Sequence, residues 1–167
     1  MARLDFKVIL VHLLLVFLVS YAFIALGYIY DLPLAGLYLE NEDIAAFTES
    51  ALGYGVDSER VSNFTLVQQA APFAGALFAV ALSFIANRRK KYSHLNTLVV
   101  AGMALVLGLT GLLNHQLVKG MLFAPGRLAS DSVATTYTLN YLLLLGLSFW
   151  LAFSKRVIPA SNQKARV

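Results

Sequence analysis

The sequence predicts an all-α fold, a four-helix transmembrane bundle with both termini in the cytoplasm, and composition is the first reason. Of the 167 residues, 59% are hydrophobic and 13% are charged, whereas a soluble domain carries roughly 25% charged residues. Four apolar segments are the second reason, because about 20 residues of helix cross the core of a bilayer. They cover residues 8–28, 66–86, 95–118 and 133–153. We therefore expect a single integral membrane domain over residues 1–167.

The distribution of charge is the third reason, and it predicts the orientation. Residues 88–91 are four consecutive cations between the second and third segments, and such clusters stay on the cytoplasmic side of a membrane. With four crossings, both termini lie on that side too. Ten of the thirteen cations are then inside and eight of the nine acids outside. The ten cations are Arg3, Lys7, Arg88, Arg89, Lys90, Lys91, Lys155, Arg156, Lys164 and Arg166.

This distribution also bears on location and partners. It predicts a multi-pass protein of the plasma or inner membrane, in contact with membrane lipids. Because topology explains the net charge of +4, that charge does not indicate a nucleic-acid partner. The first segment is longer than the apolar core of a signal peptide, which has about 7–15 residues, and no small-residue cleavage site follows it. It is therefore expected to be an uncleaved spanning helix.

The longest hydrophilic stretch, residues 30–63, is the predicted first outer loop. It contains seven of the nine acids. Asn41 is expected to cap a short amphipathic helix that has Glu42 and Asp43 in its first turn and ends at Gly53. One face of this helix would be apolar; its members are Ile44, Phe47, Ala51 and Leu52. The helix would lie on the outer membrane surface or across the mouth of the bundle.

Small residues predict where the helices pack. In the second segment they recur every four residues, and helices associate in lipid through such stripes. The stripe is Ala71, Gly75, Ala79 and Ser83. Ala104 and Gly108 form a similar pair in the third segment. Pro72 lies inside the second segment, where it cannot donate to the carbonyl of Gln68, so we expect a kink or a substitute donor there.

Polar side chains near the outer ends of the segments are the candidate ligand-binding residues. They are Gln68, Gln69, Asn114, His115, Lys119, Arg127, Tyr137, Asn140 and Tyr141. If the helices form a bundle, these groups meet at one depth, with Gln68 paired to Asn140. Lys119 and Arg127 would then attract the anionic part of a lipid or another small amphiphile. The alternative is a structural polar layer, in which the amides tie the helices together.

Other residues bear on which functions are excluded. No Asp, Glu, Lys or Arg lies in the central turns of any segment, which argues against ion-coupled transport and intramembrane acid–base chemistry. With no cysteine, thiolate catalysis is excluded, and no catalytic residue, metal site or cofactor is predicted. His12 and His94 lie at similar depth, so a bis-histidine haem site is conceivable. Two unrelated interfacial histidines are the simpler interpretation.

The leading functional hypothesis is a non-catalytic membrane protein that binds lipid or a small amphiphile at its outer face. It would act as an accessory or scaffold subunit, as a homo-oligomer or within a larger membrane complex. One alternative is a membrane enzyme or a quinone- or haem-dependent redox subunit that acts through the His115 cluster. Another is an oligomeric channel or carrier.

Overall fold

The computed structural model describes residues 4–41 and 43–160, and within these ranges the chain forms helices and no strand. The cations Arg3, Lys164 and Arg166, and the acid Glu42, lie outside these ranges. The α-helices are α1 (Phe6–Tyr30), α2 (Leu32–Glu40), α3 (Ile44–Gly53), α4 (Ser58–Lys90), α5 (His94–Leu109), α6 (Gln116–Leu122), α7 (Ala124–Ala129) and α8 (Val133–Phe153). A 3-10 helix, Leu112–Asn114, lies between α5 and α6.

Three helices are long and apolar enough to cross a membrane. They are α1, with 25 residues, α4, with 33 residues, and α8, with 21 residues. α8 has the predicted bounds, and α1 extends the predicted segment by two residues at each end. α4 is longer than predicted at both ends. α5 is apolar but has only 16 residues, which corresponds to about 24 Å.

The central element is α1, which packs against α4, α8 and α5. It has no charged residue between Lys7 and Asp31, so it has no charged stripe, as is typical of a helix that is buried or spans a membrane. Leu15, Val16 and Val19 are fully buried. The two ends of the bundle differ in composition. The basic end holds residues 88–91, and the tyrosine end holds the last turns of α1 and the first turns of α8.

The small-residue stripe of α4 faces α1, and all four of its members are buried. A Cβ atom added at Gly75 would lie 2.6 Å from the Cα of Ser20, and one added at Gly27 would lie 3.1 Å from Nε2 of Gln68. These two contacts define an antiparallel register between α1 and α4. Ala104 is buried in α5, and Gly108 lies against the ring of Phe73 in α4. The α4 helix continues through Pro72.

The sequence predicted that the third apolar segment is helical to residue 118. This prediction is wrong, because α5 ends at Leu109. Gly111 takes a left-handed conformation with φ of 74°, and its amide donates to the carbonyl of Gly108 at 3.1 Å. That conformation is available to glycine at little cost and commonly ends helices. The polar run that follows is therefore a break in the helix rather than its polar end.

The stretch between α1 and α4 contains two helices where one was predicted. Asn41 does not cap the second of them, because its side-chain amide donates to the carbonyl of Leu37 at 2.5 Å and closes α2. Asp43 caps α3 instead, accepting from Ala46 at 2.7 Å. The predicted apolar face is only half buried: Phe47 and Ala51 are covered, but Ile44 and Leu52 are exposed. α3 ends at Gly53, as predicted.

Candidate binding site at the tyrosine end

A continuous chain of aromatic rings joins the helices at the tyrosine end. Tyr28 is its centre, with ring centroids 4.4 Å from Tyr137 of α8 and 6.1 Å from Tyr38 of α2. Tyr38 in turn lies against Phe47 of α3 at 5.3 Å and Phe64 of α4 at 5.9 Å. Such edge and tilted contacts add about 0.5–1.5 kcal/mol each beyond area burial. This cluster was not predicted, although the tyrosines and phenylalanines near the ends of the apolar segments were a signal for it.

The aromatic cluster also explains how α2 and α3 are held. They lie across the mouth of the bundle, with Phe47 and Tyr38 packed against the rings of α1 and α4. Asp31 caps α2 and pairs with Arg60 of α4 through two contacts, at 2.6 and 2.8 Å. The hydrogen bond from Arg60 is the main reason that the pKa of Asp31 is lowered from its ordinary value.

The α6–α7 hairpin is fastened to α8 by hydrogen bonds. The Asn140 side chain accepts from the amide of Gly126 at 3.0 Å and donates to the carbonyl of Phe123 at 3.1 Å. The Thr136 hydroxyl donates to the carbonyl of Ser130 at 2.8 Å. A Cβ atom at Gly126 would overlap the carbonyl oxygen of Thr136 and the amide of Asn140. Asn140 and Thr136 therefore hold backbone groups of the hairpin.

This arrangement corrects the predicted pair between Gln68 and Asn140. Both polar ends of the Asn140 side chain bond to the hairpin, and Gln68 faces Gly27 of α1 instead. The physical reason is that α1 packs against both α4 and α8. Gln68 of α4 therefore contacts α1, and Asn140 of α8 contacts the hairpin. Gln68 is buried, and its Nε2 has no hydrogen-bond partner in the described part of the chain.

His115 and Lys119 lie in different surroundings, because His115 has extended backbone before the first turn of α6 and Lys119 lies within that helix. His115 precedes α6 and caps it, with its Nδ1 accepting from the amide of Leu117 at 3.3 Å, and its side chain is exposed. Lys119, in contrast, is buried. It is 8% exposed, and its Nζ donates to the hydroxyl of Tyr28 at 3.4 Å.

The remaining predicted residues are divided among separate places. Gln69 is exposed and lines a cavity of about 340 Å³ between α3 and α4, together with Thr48 and Ser62. Asn114 is exposed at the end of the 3-10 helix. Tyr141 is half-buried against the core. The predicted set of nine residues is therefore not one pocket.

Two predicted residues, Arg127 and Tyr137, line a groove of about 410 Å³ beside α8. Its other lining residues are Leu39, Ser130, Asp131, Val133 and Thr136. Arg127 is exposed and donates one guanidinium bond to the carbonyl of Gly120. Asp131 is exposed and makes no hydrogen bond or ion pair within the described ranges. The groove thus offers one cation, one anion and an apolar wall, whereas the Thr136 hydroxyl is already bonded to the hairpin.

The two histidines considered for haem lie in different environments. His94 is exposed and stacks on Phe84, with ring centroids 5.0 Å apart. His12 is 1% exposed inside the bundle, and neither ring nitrogen has a hydrogen-bond partner among residues 4–41 and 43–160. Within the same ranges, no group of three histidine, aspartate or glutamate side chains is placed to hold a metal ion.

Comparison with known proteins adds no identity. No protein-family model, curated protein or solved structure matches the chain.

Proposed function

We propose that the chain is a non-catalytic membrane protein with four crossings and cytoplasmic termini, which binds the headgroup of a zwitterionic lipid in the groove beside α8. In this arrangement α1, α4 and α8 each cross the bilayer. α5 and the segment that follows it together make the remaining crossing. The tyrosine end faces outward, and the basic end faces the cytoplasm.

The observation that carries the proposal is the pairing of opposite charges on one amphipathic groove. Arg127 and Asp131 both line it, beside the apolar side chains of Leu39 and Val133. Guanidinium groups bind phosphate strongly because they offer several aligned donors. A free carboxylate nearby complements an ammonium group, and the apolar wall suits the start of the acyl chains. A headgroup with a phosphate and an ammonium satisfies all three features.

The basic end supports the orientation. Lys90 donates to the carbonyl of Ser154 at 3.0 Å, and Arg89 lies over the ring of Phe153 at 5.4 Å. Cations at the carboxyl end of a helix interact favourably with its dipole, and cytoplasmic loops are enriched in lysine and arginine. The belt of tyrosines at the opposite end is typical of a membrane–water interface.

A role as an accessory or scaffold subunit fits these features better than the alternatives. A reaction centre at His115 would need Lys119 beside it, but Lys119 bonds to Tyr28 while His115 caps α6 and is exposed. A carrier would usually keep ionisable side chains in the middle of its spanning helices, and α1, α4 and α8 have no Asp, Glu, Lys or Arg there. Headgroup binding requires neither feature.

Native mass spectrometry of the protein in nanodiscs tests the proposal. Nanodiscs with equal amounts of phosphatidylethanolamine and phosphatidylglycerol are used, and retained lipid is counted after gas-phase release. We expect preferential retention of phosphatidylethanolamine by the wild type. Arg127→Gln should reduce retention of both lipids several-fold, because both carry phosphate. Asp131→Asn should shift the preference toward phosphatidylglycerol.

Glu49→Gln is the matched control, because Glu49 is exposed on α3 and lies outside the groove. It should retain lipid as the wild type does. Equal retention of the two lipids by the wild type, with no change in either groove variant, would contradict the proposal.

A further inference from the structure

The break after α5 lies well below the tyrosine end of the bundle. The Tyr21 hydroxyl donates to the carbonyl of His115 at 3.1 Å and approaches that of Leu112 at 3.5 Å. Tyr21 precedes Tyr28 by seven residues in α1, which corresponds to about 10 Å along the helix. If Tyr28 marks the membrane interface, the break lies inside the hydrocarbon region.

Irregular backbone at that depth has to be covered. In hydrocarbon, non-helical backbone is tolerated only where it is buried in protein or lines a water-filled cavity. Tyr21 covers the side of the break that faces α1. On the opposite side, Asn114, His115 and Gln116 are exposed. The apolar side chains around them are exposed as well, with Leu109 at 76% and Leu117 at 74%.

The exposed surface has the chemistry of a contact between helices. Amide and imidazole groups both donate and accept hydrogen bonds, and such groups join helices in membranes. Residues 94–118 contain no Asp, Glu, Lys or Arg, so no repulsion between like charges opposes contact with an identical surface. Gly102 of α5 is also exposed, and a Cβ atom added there would have no other atom within 4 Å. This leaves room for a second helix to approach closely.

We propose that this face, formed by α5 and residues 110–117, binds a second copy of the chain about a two-fold axis normal to the membrane. In such a contact the same patch of both copies is buried. The side-chain amides of Asn114 and Gln116 then meet amides of the second copy, which both donate and accept hydrogen bonds. The surrounding leucines pack against their counterparts. This inference rests on the membrane-spanning arrangement but not on headgroup binding, because the groove lies beside α8.

Cysteine cross-linking tests the contact directly, because the wild-type chain has no cysteine. Gln116→Cys is oxidised in native membranes with copper phenanthroline, which enters the bilayer. Leu142→Cys on α8 is the control, since Leu142 is 60% exposed and belongs to another helix. We expect a covalent dimer in the first variant to form at least tenfold faster than in the second.

A second variant keeps the proposal testable if cross-linking perturbs the protein. Asn114→Leu with Gln116→Leu should raise the dissociation constant of the dimer by about tenfold or more, since the interhelical hydrogen bonds are lost and the symmetry doubles each loss. Energy transfer between labelled copies in liposomes measures this constant, and circular dichroism checks that the helices are retained.

Three results would overturn the proposal. The first is equal cross-linking of Gln116→Cys and Leu142→Cys. The second is a cross-link from residue 116 to a different protein, which would identify another partner for this face. The third is labelling of Gln116→Cys by an impermeant maleimide as fast as Ser58→Cys, which would place the break in water.

Discussion

The two ends of the bundle are closed in different ways. At the basic end, short connections bring helix ends together, and single hydrogen bonds tie them: Lys90 to the carbonyl of Ser154 at 3.0 Å, and Asn87 to Thr97 at 2.9 Å. At the tyrosine end, two inserted pairs of helices, α2–α3 and α6–α7, are held mainly by aromatic rings and by Asn140. The tyrosine end also has a groove beside α8.

Polar residues at the tyrosine end have two roles: some hold the hairpin, and others face the groove. Asn140 and Thr136 face backbone groups and hold the hairpin, whereas Arg127 and Asp131 face the groove. All four lie at the tyrosine end, so depth alone does not distinguish them. They are distinguished by the groups that their side chains face. The predictions below test whether the two ends, and the two roles, are independent.

The largest expected effect is at the tyrosine end. Gly126→Ala should destabilise the protein by about 3 kcal/mol or more, because the added methyl group overlaps the backbone of α8 and a packed interior does not relax easily. The hairpin should detach, while the basic end is retained. Thermal unfolding in detergent measures the loss of stability.

Gly120→Ala is the matched control for this prediction. It lies in the same hairpin, but its added Cβ would come no closer than 3.8 Å to Arg127, which is an ordinary contact. Equal melting temperatures for the two variants would show that the hairpin does not pack tightly on α8.

A smaller effect is expected at the basic end. Lys90→Met keeps the length of the side chain but removes the donor to Ser154, so it should destabilise the protein by about 1 kcal/mol. The tyrosine end should be unaffected. Arg88→Met is the control, since Arg88 is exposed. A loss of stability in Arg88→Met as large as in Lys90→Met would assign the effect to net charge rather than to the hydrogen bond.

The smallest effect concerns Asp31, whose ion pair with Arg60 is partly solvated, with the arginine side chain 52% exposed. Because the pKa of Asp31 is lowered in the folded chain from 3.8, its contribution is present above that pH and disappears as the pH falls through the folded value. Asp31→Asn should therefore cost up to about 1 kcal/mol at pH 7. A difference between wild type and variant that persists unchanged at pH 2 would contradict this assignment.

The sequence predicted the long helices well and the third one poorly, for a physical reason. Charged residues bracket residues 8–28 and 133–153, so the borders of α1 and α8 are marked by large changes in solvation. The end of α5 depends on Gly111 alone, and glycine is common within membrane helices. The polar run after it is equally compatible with a helix end and with a break.

The site was predicted only in part. A sequence indicates how far along a helix a residue lies better than it indicates which neighbour its side chain faces. Arg127 and Tyr137 line the groove, while Lys119 turns inward to Tyr28 and Gln68 toward Gly27. Asp131 lies in a connection whose conformation depends on the hairpin, so its place in the groove follows only from tertiary packing. The aromatic cluster was visible in composition but not as a set of contacts.

The central claim is that Asn140 holds the hairpin and Asp131 binds ligand, so that each of these two residues has only one of the two roles. Melting curves with and without added phosphatidylethanolamine test it for Asn140→Leu and Asp131→Asn. Asn140→Leu leaves buried groups of the hairpin without partners, at a cost of about 2–3 kcal/mol, so its melting temperature should fall equally in both conditions. Asp131→Asn should melt as the wild type does without lipid and should lose the stabilisation that lipid gives. If Asp131→Asn gains as much from lipid as the wild type, or if both variants lose the same stability in both conditions, the claim is wrong.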